Sequence, residues 1–160
     1  MNEEIHILIV DDNKHNLKIA SNLLQEKGYQ IALALDGESV FKIMESNRID
    51  LILLDIMMPG MDGFEVCIKL KENVQTQNIP VIFLTAKTET DDLVKGFQVG
   101  GVDYITKPFK KEELYARVNN HIQLKLFRDL LKKRTEESLI SRDKFISMLS
   151  ELGKKMDSMR

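Results

Sequence analysis

Apolar residues in this chain gather in short continuous runs separated by amphipathic stretches. The runs are IHILIV (5–10), YQIALAL (29–35), DLILLD (50–55), PVIFLT (80–85) and VDYITK (102–107). Each is rich in Ile, Val, Leu or Phe and too continuous to leave a wet face. That predicts central strands of a parallel sheet covered on both sides. Between the runs the apolar spacing changes to the helical period. Residues 14–27 set Leu17, Ala20, Leu23 and Leu24 on one stripe, and Gly28 follows as a helix stop. Residues 37–47, 62–72, 88–99 and 110 onward repeat the pattern. Five alternations of strand and helix predict right-handed βαβ crossovers and a doubly wound α/β sheet. In such a sheet ligands bind at the carboxyl ends of the strands.

The strand ends carry the candidate chemistry. The first run ends in Asp11 and Asp12, the third in Asp55, the fourth in Thr85 and the fifth in Lys107-Pro108. Side by side, these ends gather three carboxylates, a hydroxyl and an ammonium. Like charges a few ångströms apart cost several kcal/mol at an intermediate dielectric, so the cluster needs a cation. Hard carboxylate oxygens without His or Cys point to Mg²⁺. Singly, each residue has a plainer account. Asp12 or Asn13 could cap the next helix, Thr85 could be an ordinary strand residue, and Lys107 a surface lysine. Asp55 is harder to explain so, because a carboxylate directly after LILL is costly unless paired or set at the rim. Together they can build one phosphoryl-transfer site. A carboxylate is a competent nucleophile toward phosphorus, and Mg²⁺ with Lys107 can stabilise charge on the transferring group.

IVDD (9–12), LLDIMMPGMDG (53–63), LTA (84–86) and KPF (107–109) stand in one order and spacing. With them the chain resembles the response-regulator receiver domains of two-component signalling, in particular the chemotaxis-regulator-like ones, over residues 4–122. The resemblance implies a (βα)5 flavodoxin-like sheet in strand order 2-1-3-4-5. It implies that Asp55 is the phosphoacceptor, charged by a histidine kinase or a histidine phosphotransfer protein. Mg²⁺ would be held by Asp12, Asp55 and the backbone carbonyl of Met57, with Asp11 helping directly or through water. Thr85 and Lys107 would each meet a phosphoryl oxygen, and a cis bond is implied at Lys107-Pro108. Thr85 and Tyr104 would form the switch, Tyr104 rotating inward as Thr85 moves toward the phosphoryl group and reshaping the 88–122 face. Met57 and Lys87 would tune acyl-phosphate lifetime. A bulky thioether and a long cation both hinder the attacking water, so slow self-dephosphorylation is expected. The domain boundary implied is 1–122 for the receiver and 123–160 for a helical extension.

From Pro108 to Gly153 there is no glycine or proline, so residues 110–152 can form one helix. Leu124, Phe127 and Leu131 make one apolar seam, and Phe145, Leu149, Leu152, Met156 and Met159 a second with a/d spacing. The polar stretch KKRTEES (132–138) between them predicts an interrupted seam or a break. A coiled-coil homodimer, through this helix or the 88–122 face, or a helical hairpin would bury the stripes. SRDKFISMLS (141–150) resembles the linker into the dimerisation helix of sensor histidine kinases, but Glu151 stands where that family has its histidine. A receiver-plus-linker piece of a hybrid kinase, and a constitutive dimerisation scaffold, are the alternatives.

Composition narrows the field further. Residues 1–120 hold 13 Lys+Arg against 19 Asp+Glu, while 121–160 hold 10 against 6, so the body is acidic and no nucleic-acid partner is expected. No apolar run reaches the ~20 residues of a membrane span. Cys67 is the single cysteine and MNEEIHILIV lacks the basic start of a secretion signal, so a cytoplasmic location is expected. His6, His15 and His121 share no metal spacing and are expected to be structural. A dehalogenase-like phosphatase would need an acid two residues after its nucleophile, and that position is Met57. The chain is therefore expected to regulate rather than to turn over a substrate.

Overall fold

The structure, a computed structural model, describes residues 3–86 and 90–160. Lys87, expected to tune the phosphoryl lifetime, lies outside the described residues. The chain divides into two compact units, Met1–Gln123 and Leu124–Arg160.

In the first unit, strands β1 (His6–Val10), β2 (Gln30–Ala34), β3 (Leu51–Asp55), β4 (Val81–Thr85) and β5 (Asp103–Thr106) form one sheet. All pairs are parallel and the order is 2-1-3-4-5, with Asp55 opposite Leu84 and Thr85 opposite Thr106. The doubly wound flavodoxin-like order expected from the sequence is thus the order found. Helices α1 (Lys14–Glu26), α2 (Gly37–Ser46), α3 (Gly63–Glu72) and α4 (Thr90–Gln98) alternate with the strands, and α5 begins at Lys111. The strands form because β-branched and leucine side chains fill both faces of the pleat. Ile7, Leu8, Ile9, Leu51, Ile52, Leu53, Leu54, Ile82 and Leu84 have no exposed surface. Each such burial contributes roughly 1.5–3 kcal/mol, which fixes where β3 ends and so where Asp55 emerges.

β2 and β5 are the two edge strands, as the expected order has them, although their apolar runs alone suggested central strands; Leu33 on β2 remains 46% exposed. A run such as YQIALAL carries the same apolar signal whether one neighbour or two will pair with it. Periodicity alone does not tell a rim from a centre.

Local chemistry sets the helix starts. Asn13 caps α1, its side-chain oxygen accepting from the N–H groups of His15 and Asn16 at 2.9 and 3.2 Å. Asp36 caps α2 through Ser39 N–H at 2.8 Å, and Asp62 caps α3 through Glu65 N–H at 2.9 Å. With Asn13 in that role, Asp12 has no capping duty. Gly63 opens α3 where a side chain would overlap the Asp55 carbonyl oxygen and lie 2.8 Å from Ile56 Cα. Only a residue without Cβ lets α3 start so close to the end of β3.

α5 runs unbroken from Lys111 to Ser158. Neither the break at 132–138 nor a hairpin before Ser158 is present. Lys, Arg and Glu are strong helix formers, so KKRTEES stays helical without an apolar face. Lys132 and Glu136, like Lys133 and Glu137, are spaced i,i+4. Gly153 sits inside the helix, at a cost of about 1 kcal/mol. Among the described residues no helix is long and apolar enough to cross a membrane.

Candidate functional site

Five sequence-predicted residues meet at the carboxyl edge of the sheet. β1 delivers Asp11, and Asp12 follows; β3 ends on Asp55, β4 on Thr85, and the residue after β5 is Lys107. Asp11, Asp55 and Thr85 are buried, whereas Asp12 is exposed. Carboxylate oxygens of Asp11, Asp12 and Asp55 all lie within 4.8 Å of one another. The Lys107 ammonium lies 2.7 Å from Asp11 Oδ2 and 3.1 Å from Asp55 Oδ1. Asp11 Oδ1 accepts from Asn13 N–H at 2.9 Å, and Asp55 Oδ1 accepts from Met57 N–H at 3.3 Å. Lys107 N–H donates to the Thr85 carbonyl at 2.8 Å, which ties the β5–α5 loop to β4, and the Lys107-Pro108 peptide is cis. After Asp55 the chain turns through Gly60, whose φ of +75° favours a residue without a side chain.

The electrostatics match this crowding. Burial, and then the negative charge of Asp11, push the Asp55 carboxyl up to about 6, against the pull of Lys107 and of the Met57 N–H. Burial works against the charge on Lys107, but the two carboxylates outweigh it and hold its pKa above the usual lysine value. Asp11 Oδ2 is wholly buried and lacks an aligned hydrogen bond; its close charged neighbour is the Lys107 ammonium. Three oxygen donors, one of them so placed, fit a hard divalent cation.

A pH dependence follows. Because the folded-state pKa of Asp55 is raised above 3.8, the folded chain holds a proton that the unfolded chain has released between about pH 4 and 6. The stabilising contribution of that proton is complete below pH 4 and is lost as pH rises through 6. A divalent cation needs the carboxylate, so its effect has the opposite sign. Millimolar Mg²⁺ should raise the melting temperature by roughly 3–5 °C at pH 7.5 and by under about 1 °C at pH 5. Thermal unfolding at both pH values checks this; equal shifts would contradict it.

Behind the site lies Tyr104, facing inward and 8% exposed. Its hydroxyl donates toward the carbonyls of Asp92 and Leu93, which lie 2.7 and 2.8 Å away on α4. Its ring packs against Phe83 and Phe97, with centroids 5.6 and 5.3 Å apart. The space it fills exists because residue 96 is glycine. A Cβ there would overlap the Tyr104 hydroxyl and lie 2.6 Å from Cζ. The motif reading passed over Gly96, although an isolated glycine inside an amphipathic helix pattern is itself a signal of close approach.

Met57, two residues after Asp55, is 67% exposed. Cys67 is buried in the core, as expected of a small hydrophobe. His121 pairs with Asp103, Nε2 to Oδ2 at 2.9 Å, and Arg117 reaches the other Asp103 oxygen at 2.7 Å. His121 therefore serves α5 and β5 rather than the carboxylate cluster.

A doubly wound parallel sheet with acids, a hydroxyl and an ammonium at its carboxyl edge defines a regulatory module of the receiver class. The chain belongs to the response regulator receiver domain family, whose model matches residues 7–119. It is 40% identical over 128 residues to the response regulator PleD of Caulobacter vibrioides, covering 80% of this chain and 28% of that protein. It is 44% identical over 120 residues to the transcriptional regulatory protein RprY of Bacteroides fragilis, covering 74% of this chain and 49% of that protein. The chain thus spans half or less of the length of these relatives. Among solved structures, chemotaxis protein CheY4 of Vibrio cholerae aligns with a TM-score of 0.71 at 30% identity, covering 74% of this chain and 98% of that one. The signal receiver domain of a histidine kinase from Syntrophus aciditrophicus aligns with a TM-score of 0.68 at 35% identity, covering 74% and 89%.

Proposed function

We propose that this receiver accepts a phosphoryl group on Asp55 from a histidine kinase or a histidine phosphotransfer protein. The carrying observation is the Asp55 carboxylate at a strand end, flanked by two further acids and 3.1 Å from the Lys107 ammonium. An Asp55 oxygen attacks phosphorus, the bond from phosphorus to the donor imidazole nitrogen breaks, and the imidazole leaves. Asp11, Asp12, Asp55 and the Met57 carbonyl would hold Mg²⁺, which neutralises charge on the phosphoryl oxygens when bound. Lys107 moves from its carboxylate partners to one phosphoryl oxygen, and the Thr85 hydroxyl meets another. Phosphorylation adds close to two negative charges, and it biases the packing of Thr85 and Tyr104 and with it the 88–122 face. Met57 crowds the path of a hydrolytic water, with Lys87 as its companion.

On this reading residues 1–122 are the receiver, and 123–160 a helical extension that carries the output in the cytoplasm, by homodimerisation or as a connector. The unbroken α5 also supports the second reading, a receiver with the linker of a hybrid histidine kinase.

Incubation with phosphoramidate and Mg²⁺ tests the phosphoacceptor. One added phosphoryl group, labile to hydroxylamine and mapped to Asp55 by mass spectrometry, is expected. No adduct, or an adduct elsewhere, would overturn the reading.

A further inference from the structure

The sulfur atoms of this chain divide by burial. Cys67 has no exposed surface, and burial pushes its thiol up to about 11, so almost no thiolate is present near neutral pH. Met58 belongs to the core, and Met44 and Met61 pack against it. Among the described residues of the first unit Met57 is the exception, 67% exposed against 7% for its neighbour Met58. The other exposed thioethers, Met148, Met156 and Met159, all lie in the second unit.

Met57 also stands beside the phosphoacceptor candidate. Its N–H donates to Asp55 Oδ1 at 3.3 Å, which roots its side chain next to the carboxylate. It borders an open groove of about 510 Å³ between residues 56–60 and α4. A peroxide can therefore reach the sulfur, and the groove leaves room for one added oxygen. The thioether is apolar and only a weak acceptor, so it gives water no firm hold. A sulfoxide is polar, and its oxygen accepts hydrogen bonds. Beside an acyl phosphate, that oxygen holds and orients the water whose attack on phosphorus ends the phosphorylated state.

We propose that Met57 is a reversible oxidation site through which peroxide shortens the life of the phosphoryl group on Asp55. This regulation rests on the phosphoacceptor reading above and gives that site a second input. In the oxidation a sulfur lone pair attacks one peroxide oxygen and the O–O bond breaks. The S–O bond forms, and the departing hydroxide takes the proton left on the transferred oxygen, giving water. Sulfur loses two electrons and the peroxide gains them. In the hydrolysis that follows, water oxygen bonds to phosphorus and the bond from phosphorus to Asp55 breaks. Phosphate leaves with the two protons of the water, and Asp55 returns as a carboxylate.

Mild hydrogen peroxide on the whole chain tests this, with peptide mapping by mass spectrometry and acyl-phosphate decay after loading with phosphoramidate and Mg²⁺. Met57 should oxidise at least about tenfold faster than Met58, and decay should quicken about threefold or more. Methionine sulfoxide reductases of both epimer specificities should restore the original decay. Met57→Leu keeps the methionines of the second unit and should not respond to peroxide. Met57→Gln, polar and of similar length, should decay faster than Met57→Leu with no oxidant present. Equal oxidation of Met57 and Met58, an unchanged or slower decay, or the same acceleration in Met57→Leu overturns the proposal. An untreated chain that forms no acyl phosphate at Asp55 overturns the phosphoacceptor reading and this one with it. A normal acyl phosphate that ignores Met57 oxidation overturns this one alone.

Discussion

Replacing Lys107 with methionine is expected to slow acyl-phosphate formation from a small phosphodonor by about 10²-fold or more. The loss has two sources. On the proposed function Lys107 meets charge developing on the transferring group, and a preorganised donor of that kind is worth about 10²–10³ in rate. It also neutralises Asp11 and Asp55 in the resting site, at 2.7 and 3.1 Å, with its own side chain only 16% exposed. Methionine keeps most of the stem packing and removes the charge. Two buried acids are then left facing each other, and the carboxyl of Asp55 should rise further above about 6. Breaking a buried pair from one side costs roughly 3–5 kcal/mol, so metal-free Lys107→Met should melt well below the wild type at pH 7.5. Millimolar Mg²⁺ should return more stability to the variant than to the wild type, because it supplies the missing positive charge. Acyl-phosphate rates and melting curves with and without Mg²⁺ measure both effects. A rate within tenfold of wild type would leave Lys107 a structural counter-ion only.

The same residues show how far a sequence carries. β3 was legible because LILL can only be buried, and an acid placed after it must then emerge at the sheet rim. Asp11, Thr85 and Lys107 followed from the same logic at their own strand ends. What stayed hidden was pairwise. Nothing in KPF says that Lys107 spans Asp11 and Asp55 in the resting site, since that geometry depends on three strands at once. Asp12 and Asn13 were equivalent as caps until the chain direction after β1 gave Asn13 the N–H groups of His15 and Asn16. The runs that became β2 and β5 read as central from their residues alone, because an edge position depends on the crossovers; only the family resemblance set both at the edges. In the tail, the polarity of KKRTEES suggested a break. Helix propensity decided for the other expectation, an interrupted seam on a continuous helix.

Gly96→Ala should reverse the usual sign of a glycine-to-alanine change inside a helix. At an ordinary helix position the substitution stabilises by about 1 kcal/mol. Here the new methyl group overlaps the Tyr104 hydroxyl and lies 2.6 Å from Cζ, with Phe83 Cδ2 at 3.1 Å on another side. Tyr104 must leave, and its hydroxyl gives up the Asp92 and Leu93 carbonyls. Losing that burial and hydrogen bonding should cost roughly 2–4 kcal/mol, read as a fall in melting temperature. Phosphorylation of Asp55 should continue at near the wild-type rate, since neither Gly96 nor Tyr104 touches the carboxylate cluster. A double-mutant cycle separates eviction of the ring from any harm to α4 itself. In a Tyr104→Ala background the slot is empty, and Gly96→Ala should be neutral or stabilising. The coupling between the two positions should then reach about 2 kcal/mol. Additive effects would mean that α4 does not need glycine to hold the inward ring, and the position of Tyr104 would have to be set by Phe83 and Phe97 alone.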